Sequence, residues 1–166
     1  KDAFTEDGFF RTGDAGYIKD GELFLTDRIK DLFKTSNGKY IAPQLVESLI
    51  LVDKYIDQVA VIANERKFVS ALIVPEFRLV EDWAKEHGIE FCSREDLCAN
   101  PKVNKMILDR VKTLQQQLAH YEQVKRITLI PHHFSMESGE LTNTLKIRRP
   151  VVYKNYKNEI DKMYEE

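Results

Sequence analysis

The residues of this sequence best suited to chemistry stand in two segments more than 100 positions apart. Near the start, Thr12-Gly13-Asp14 is followed by the charged run Asp27-Arg28-Ile29-Lys30-Asp31. Far downstream, Leu141-Thr142-Asn143-Thr144-Leu145-Lys146 leads into Arg148 and Arg149. A carboxylate held at a strand end, as Asp14 is after a Thr-Gly pair, can accept two hydrogen bonds from vicinal hydroxyls such as those of a ribose. Lys146 offers a compact ammonium on a flexible stem, able to reach two anions at once. Each segment alone has a plainer reading. Gly-Asp is a common turn, and Lys146 with Arg148 and Arg149 also reads as a solvated basic cluster ahead of a helix. Finding both, in this order and at this separation, is what favours chemistry.

The elements that must position these residues follow from local patterns. Phe9 to Ile18 and Glu22 to Thr26 read as the strands of a hairpin turned at Lys19-Asp20-Gly21, where Gly supplies positive φ. Ile29 to Lys34 and Tyr40-Ile41 form a second hairpin around Ser36-Asn37-Gly38-Lys39. Pro43 suits a first helical turn, with Leu45, Val46, Leu49 and Ile50 on one face. Gln58 to Ala63 and Phe68 to Pro75 are core strands by their β-branched content. A helix from Phe77 to His87, ended by Gly88, turns Leu79, Val80 and Trp83 inward. A short helix after Ser93 has a capping-type acid at Asp96. A longer one runs from Asn100-Pro101 to about Leu118, with Val103, Ile107, Val111, Leu114 and Leu118 as its stripe. Val124 to Ile130 is a strand, residues 131 to 145 an irregular loop, and Arg149 to Tyr164 a final helix facing Val152, Tyr156, Ile160 and Met163 inward. This order predicts an α+β fold, a small β-sheet flanked by helices and preceded by a β-hairpin.

The stretches from Gly8 to Glu47 and from Glu140 to Arg149 resemble the domain-crossover and catalytic-lysine motifs of ATP-dependent acyl-CoA synthetases, members of the adenylate-forming AMP-binding superfamily. The helical section from Val80 to Val124, with Thr144-Leu145-Lys146, looks most like the long-chain fatty-acid–CoA ligase branch. The resemblance implies the C-terminal part of a larger enzyme. Residues 1–27 would be the remnant of the large AMP-binding domain, and residues 28–166 the mobile C-terminal domain. It implies nucleotide binding by Asp14, Thr12 and Arg28, a hinge at Lys30, and a hairpin bearing Gly38 and Lys34 that borders the CoA channel in the second half-reaction. Lys146 matches the catalytic lysine, although Leu145 stands where most of the family has glycine. The implied reaction converts fatty acid, ATP and CoA to acyl-CoA, AMP and pyrophosphate through an acyl adenylate, with Mg2+ serving the first step. ATP and Mg2+ would be bound mostly by the large N-terminal domain of the same polypeptide. The family's phosphate loop, rich in Gly, Ser and Thr, occurs nowhere in these 166 residues, so the chain alone is expected to be inactive.

Composition narrows the alternatives. With 25 Lys plus Arg against 27 Asp plus Glu, the chain lacks the positive field of a nonspecific nucleic-acid binder. No apolar run reaches the roughly 18 residues of a membrane span, and nothing resembles a signal peptide. A cytoplasmic protein is expected, with peripheral membrane contact left open. Cys92 and Cys98 are too few for a disulfide framework or a zinc site, and His132-His133 has no third ligand at a helpful spacing. The chain begins at Lys1 without Met, consistent with excision from a longer polypeptide. The competing reading is a noncatalytic α+β module that binds nucleotide or protein through the second hairpin and the Lys146 to Arg149 patch.

Overall fold

Two-residue periodicity with turn chemistry builds the front of the chain, and helical periodicity the middle. The computed structural model describes residues 3–165; Lys1, Asp2 and Glu166 lie outside them. Strands β1 (Asp14–Lys19) and β2 (Glu22–Arg28) pair antiparallel with Asp14 opposite Arg28. Their turn has positive φ at both Asp20 and Gly21, the geometry whose twist matches the flanking strands. The strand expected from Phe9 begins only at Asp14. Upstream of it, Phe4 and Phe10 bridge each other and stack edge to face at 5.3 Å, and Gly13 takes a φ of 80°, which breaks an extended course.

The next expected strand, from Ile29, is also shorter. Ile29–Asp31 form one 3-10 turn, flanked by extended Arg28 and Leu32. Strand β3 (Phe33–Lys34) then pairs with β4 (Tyr40–Ile41) around the Asn37-Gly38 turn. Helix α1 (Pro43–Ile50) starts on Pro43 and buries Val46 and Ile50 as its spacing requires.

The core is a three-stranded sheet in the order β5 (Ile56–Ile62), β6 (Val69–Pro75), β7 (Val124–Leu129). β5 and β6 are antiparallel, β6 and β7 parallel. Every residue of the central β6 is buried, which is why it reads as a continuous apolar run. A parallel pair needs a long crossover, supplied here by α2 (Phe77–Glu86), α3 (Arg94–Ala99) and α4 (Pro101–Leu114). Ser93 caps α3 by accepting from the Asp96 N–H, and α4 buries Val103, Ile107 and Val111.

α4 stops four residues before the expected Leu118. The buried Gln115 side chain donates to the Val124 carbonyl at 2.9 Å and accepts from the Val124 N–H at 2.7 Å, so it imitates a strand neighbour at the start of β7. The last helix is likewise two, α5 (Arg149–Asn155) and α6 (Lys157–Lys162). They meet at Tyr156, whose φ and ψ of −109° and 28° leave the helical region. Its buried ring packs on Phe134 and its hydroxyl meets His132 Nε2 at 3.0 Å. The α+β architecture is thus the one anticipated, with a mixed three-stranded sheet flanked by helices and preceded in the chain by two hairpins. Among the described residues no helix is long and apolar enough to cross a membrane.

Candidate functional site

Lys146 stands at the end of a tight, solvent-exposed turn closed by Thr142. The Thr142 N–H donates to the Lys146 carbonyl at 2.8 Å, and the Leu145 N–H donates to the Thr142 carbonyl at 2.9 Å. The Lys146 N–H in turn donates to Thr142 Oγ1 at 3.1 Å. Leu145 has a φ of 60°, the left-handed region that glycine enters without penalty. Below the turn, Leu141 and Ile147 form an antiparallel bridge. The stretch expected to be an irregular loop therefore ends in a miniature hairpin with Lys146 on its arm.

Two buried carboxylates fix the base of that hairpin, and neither stood out in the sequence. Glu140 accepts from Ser138 Oγ at 2.7 Å and from Asn155 Nδ2 at 3.0 Å, while its carbonyl accepts the Arg148 N–H at 2.7 Å. Burial alone would raise the Glu140 pKa, but the hydrogen bonds from Asn155, Ser138 and Tyr156 outweigh it and hold the carboxyl below its ordinary value. Glu47, on α1, accepts both arms of the Arg149 guanidinium at 2.7 and 2.9 Å, and the Val61 N–H at 2.9 Å. Neither carboxylate carries a motif of its own. The available signal was an acid on the inner side of an apolar helix for Glu47, and an acid at the foot of the Thr-rich loop for Glu140.

Gly38 and Lys34 lie on the β3–β4 hairpin. Its turn repeats the bonding around Lys146: the Thr35 N–H donates to the Lys39 carbonyl, the Gly38 N–H to the Thr35 carbonyl, and the Lys39 N–H to Thr35 Oγ1. Gly38 has a φ of 76°, and a Cβ there would meet nothing within 4 Å. Lys34 is exposed on β3, its ammonium 5.9 Å from the centre of the Tyr40 ring.

Thr12, Asp14 and Arg28 come together at the open end of the first hairpin. Thr12 Oγ1 accepts the Asp14 N–H at 3.2 Å, and Asp14 Oδ1 lies 3.7 Å from Arg28 Nε. Lys30 is exposed in the 3-10 turn just beyond. A groove of about 600 Å³ runs between α1, this turn and the Lys146 hairpin, with Asp31, Gln44, Ser48, Leu145, Lys146 and Arg148 among its walls. The expected site residues thus sit on or beside three separate hairpins, with Lys30 in the 3-10 turn that follows the first. The first of these also exposes a run of large apolar side chains, among them Ile18, Leu23 and Leu25.

His132 is engaged with Tyr156 and His133 pairs with Asp57 at 3.3 Å. Among the described residues, no group of three or more His, Cys, Asp or Glu is placed to hold a metal ion.

A small mixed sheet under helices, carrying two lysine-bearing turns, is the fold of the C-terminal domain of adenylate-forming enzymes. The adenylation domain of a carboxylate reductase from Mycobacterium chelonae superposes on 98% of this chain with a TM-score of 0.75 at 25% identity, the match covering 24% of that structure. The model of the AMP-binding enzyme C-terminal domain matches residues 30–166, and the chain belongs to that family. It is 37% identical to human long-chain-fatty-acid–CoA ligase 1 over 98% of its own length, and 36% identical to long chain acyl-CoA synthetase 2 of Arabidopsis thaliana over 96%. It spans about a quarter of the length of these curated relatives, 24% and 25% respectively. A noncatalytic module unrelated to such enzymes is accordingly not favoured.

Proposed function

We propose that this chain is the C-terminal portion of an ATP-dependent long-chain fatty-acid–CoA ligase, an acid-thiol ligase of the cytoplasm. Residues 1–27 complete the large AMP-binding domain, and residues 28–166 form a lobe that swings about Lys30 between two half-reactions. In the first, a fatty-acid carboxylate oxygen bonds to the α-phosphorus of ATP and pyrophosphate leaves. In the second, the sulfur of CoA bonds to the acyl carbon and AMP leaves.

Lys146 carries the first step. Its ammonium offsets the charge that builds as carboxylate and α-phosphate approach. The observation that supports this most directly is an exposed lysine on a turn whose foot is tied into the lobe by Glu47 and Glu140. Asp14 accepts from the ribose hydroxyls, with Thr12 fixing its backbone and Arg28 pairing with its carboxylate and facing the nucleotide. Lys30 is the hinge because an exposed side chain in a short turn loses little when the lobe rotates. Gly38 and Lys34 face the pantetheine arm in the second step, where the missing Cβ lets the turn approach closely. ATP and Mg2+ would be held mostly by the large N-terminal domain; among the described residues of this chain no group of three or more His, Cys, Asp or Glu is placed to hold a metal ion.

The exposed Ile18, Leu23 and Leu25 suit a hairpin that the large domain covers in the whole enzyme. The similarity to long-chain-fatty-acid–CoA ligases is the basis for the substrate class. Pyrophosphate release and acyl transfer from preformed acyl-AMP, measured separately on the whole enzyme, test the reading. Lys146→Ala should lower the first at least 100-fold and the second by less than a few fold. Equal losses would overturn it, as would robust turnover by residues 1–166 alone.

A further inference from the structure

The Arg149–Glu47 pair lies three residues from Lys146 and is built with more care than a solvated basic cluster requires. The guanidinium and carboxylate meet through two parallel bonds of 2.7 and 2.9 Å, and their side chains are only 19% and 11% exposed. The Glu47 oxygen at 2.7 Å also takes the Val61 N–H of β5, and the Arg149 guanidinium carbon lies 5.1 Å from the centre of the Phe33 ring of β3. One residue at the start of α5 is therefore referenced to α1, β5 and β3 together. Such a pair adds little net stability relative to apolar packing, because both ions are desolvated, but the bidentate fork fixes direction as well as distance.

Lys146 needs that reference. Its turn is exposed and bonded mainly to itself, so its placement relative to the lobe is set at its two feet, by Glu140 on one arm and, through Ile147 and Arg148, by Arg149 on the other. A displacement of about 1 Å at a reacting group can cost on the order of 100-fold in rate.

We infer that Glu47 and Arg149 are positioning residues for the adenylation step, a clamp that aims the Lys146 ammonium and has no part in acyl transfer to CoA. This rests on the assignment of Lys146 given above. Arg149→Lys keeps the charge but loses the fork. In the whole enzyme it should slow pyrophosphate release 10- to 100-fold through kcat, leave acyl transfer from preformed acyl-AMP within about twofold, and speed amide hydrogen exchange at Leu145 and Lys146 while β6 stays protected.

In a Lys146→Ala background the same substitution should add less than twofold to the adenylation defect, because the group it aims is gone. If Arg149→Lys slows both half-reactions alike, or its full effect persists beside Lys146→Ala, the clamp is merely structural and the inference falls. If instead Lys146→Ala itself slows both steps alike, the parent assignment fails, and with it the inference; the single lysine variant tells the two failures apart. Should Arg149→Lys fold poorly, Glu47→Gln keeps an acceptor for Val61 and is judged by the same split and the same double variant.

Discussion

Leu145 holds the place in its turn that Gly38 holds in another. Both residues precede a lysine, both donate their N–H to the carbonyl of a threonine three positions back at 2.9 Å, and both have positive φ, 60° and 76°. A branched side chain in that region costs about 1–2 kcal/mol relative to glycine. The Lys146 turn therefore forms in spite of local preference, held by Thr142 and by the buried pairs at its foot.

The first prediction compares these two positions. Gly38→Ala meets no neighbour within 4 Å, so its cost is the backbone term alone, about 1 kcal/mol after the smaller entropy of its unfolded chain is credited. Leu145→Gly relieves the same strain but loosens the unfolded chain, leaving stability unchanged to within about 0.5 kcal/mol. Urea unfolding of the isolated chain separates the two outcomes.

Gln115 is the position where one side chain replaces two backbone partners. Gln115→Ala leaves both the N–H and the carbonyl of Val124 without their bonds in a buried setting, which should cost roughly 3 kcal/mol. Gln115→Glu retains the acceptor and loses the donor, and is expected to stay destabilised. Chemical denaturation with unchanged m-value is the check.

Glu140 predicts an acid limb. Its folded pKa is depressed, so its contribution is complete above the unfolded value of 4.5 and is lost as pH falls from there through the folded value. The Glu140→Gln variant should be less stable than the parent at neutral pH and lose less stability below about pH 4.5. Thermal melts from about pH 3 to about pH 7 read the convergence of the two curves.

Tyr164 predicts the opposite limb. Burial raises its phenol to about 12, while its hydroxyl meets Ser70 Oγ at 2.7 Å and donates to the carbonyls of Phe68 and Ile62. Because the folded value exceeds the unfolded 10, this contribution is intact below pH 10 and is lost as pH rises through about 12. Tyr164→Phe should flatten part of that alkaline loss. Tyr153 and Tyr156, also raised by burial, will keep the remainder.

Much of this architecture was decided within a few residues of chain. Asp20-Gly21 and Asn37-Gly38 make their turns, Pro43 and Ser93 start their helices, and the spacing of Val103, Ile107 and Val111 selects the buried face of α4. Those signals are local, since turn chemistry and helical period depend on neighbours, and so they are readable from order alone. The residues proposed to bind nucleotide and to serve adenylation were likewise marked by their motifs.

What order alone did not reveal depends on partners far along the chain. Glu47 and Arg149 are 102 positions apart, and a glutamate in an amphipathic helix looks solvated until the fold brings a guanidinium and the Val61 N–H to it. The same holds for Gln115 stopping α4, for Tyr156 dividing the last helix, and for Glu140 under the Lys146 turn. Burying a polar group is tolerable only when its partners arrive together, and only the folded chain assembles them.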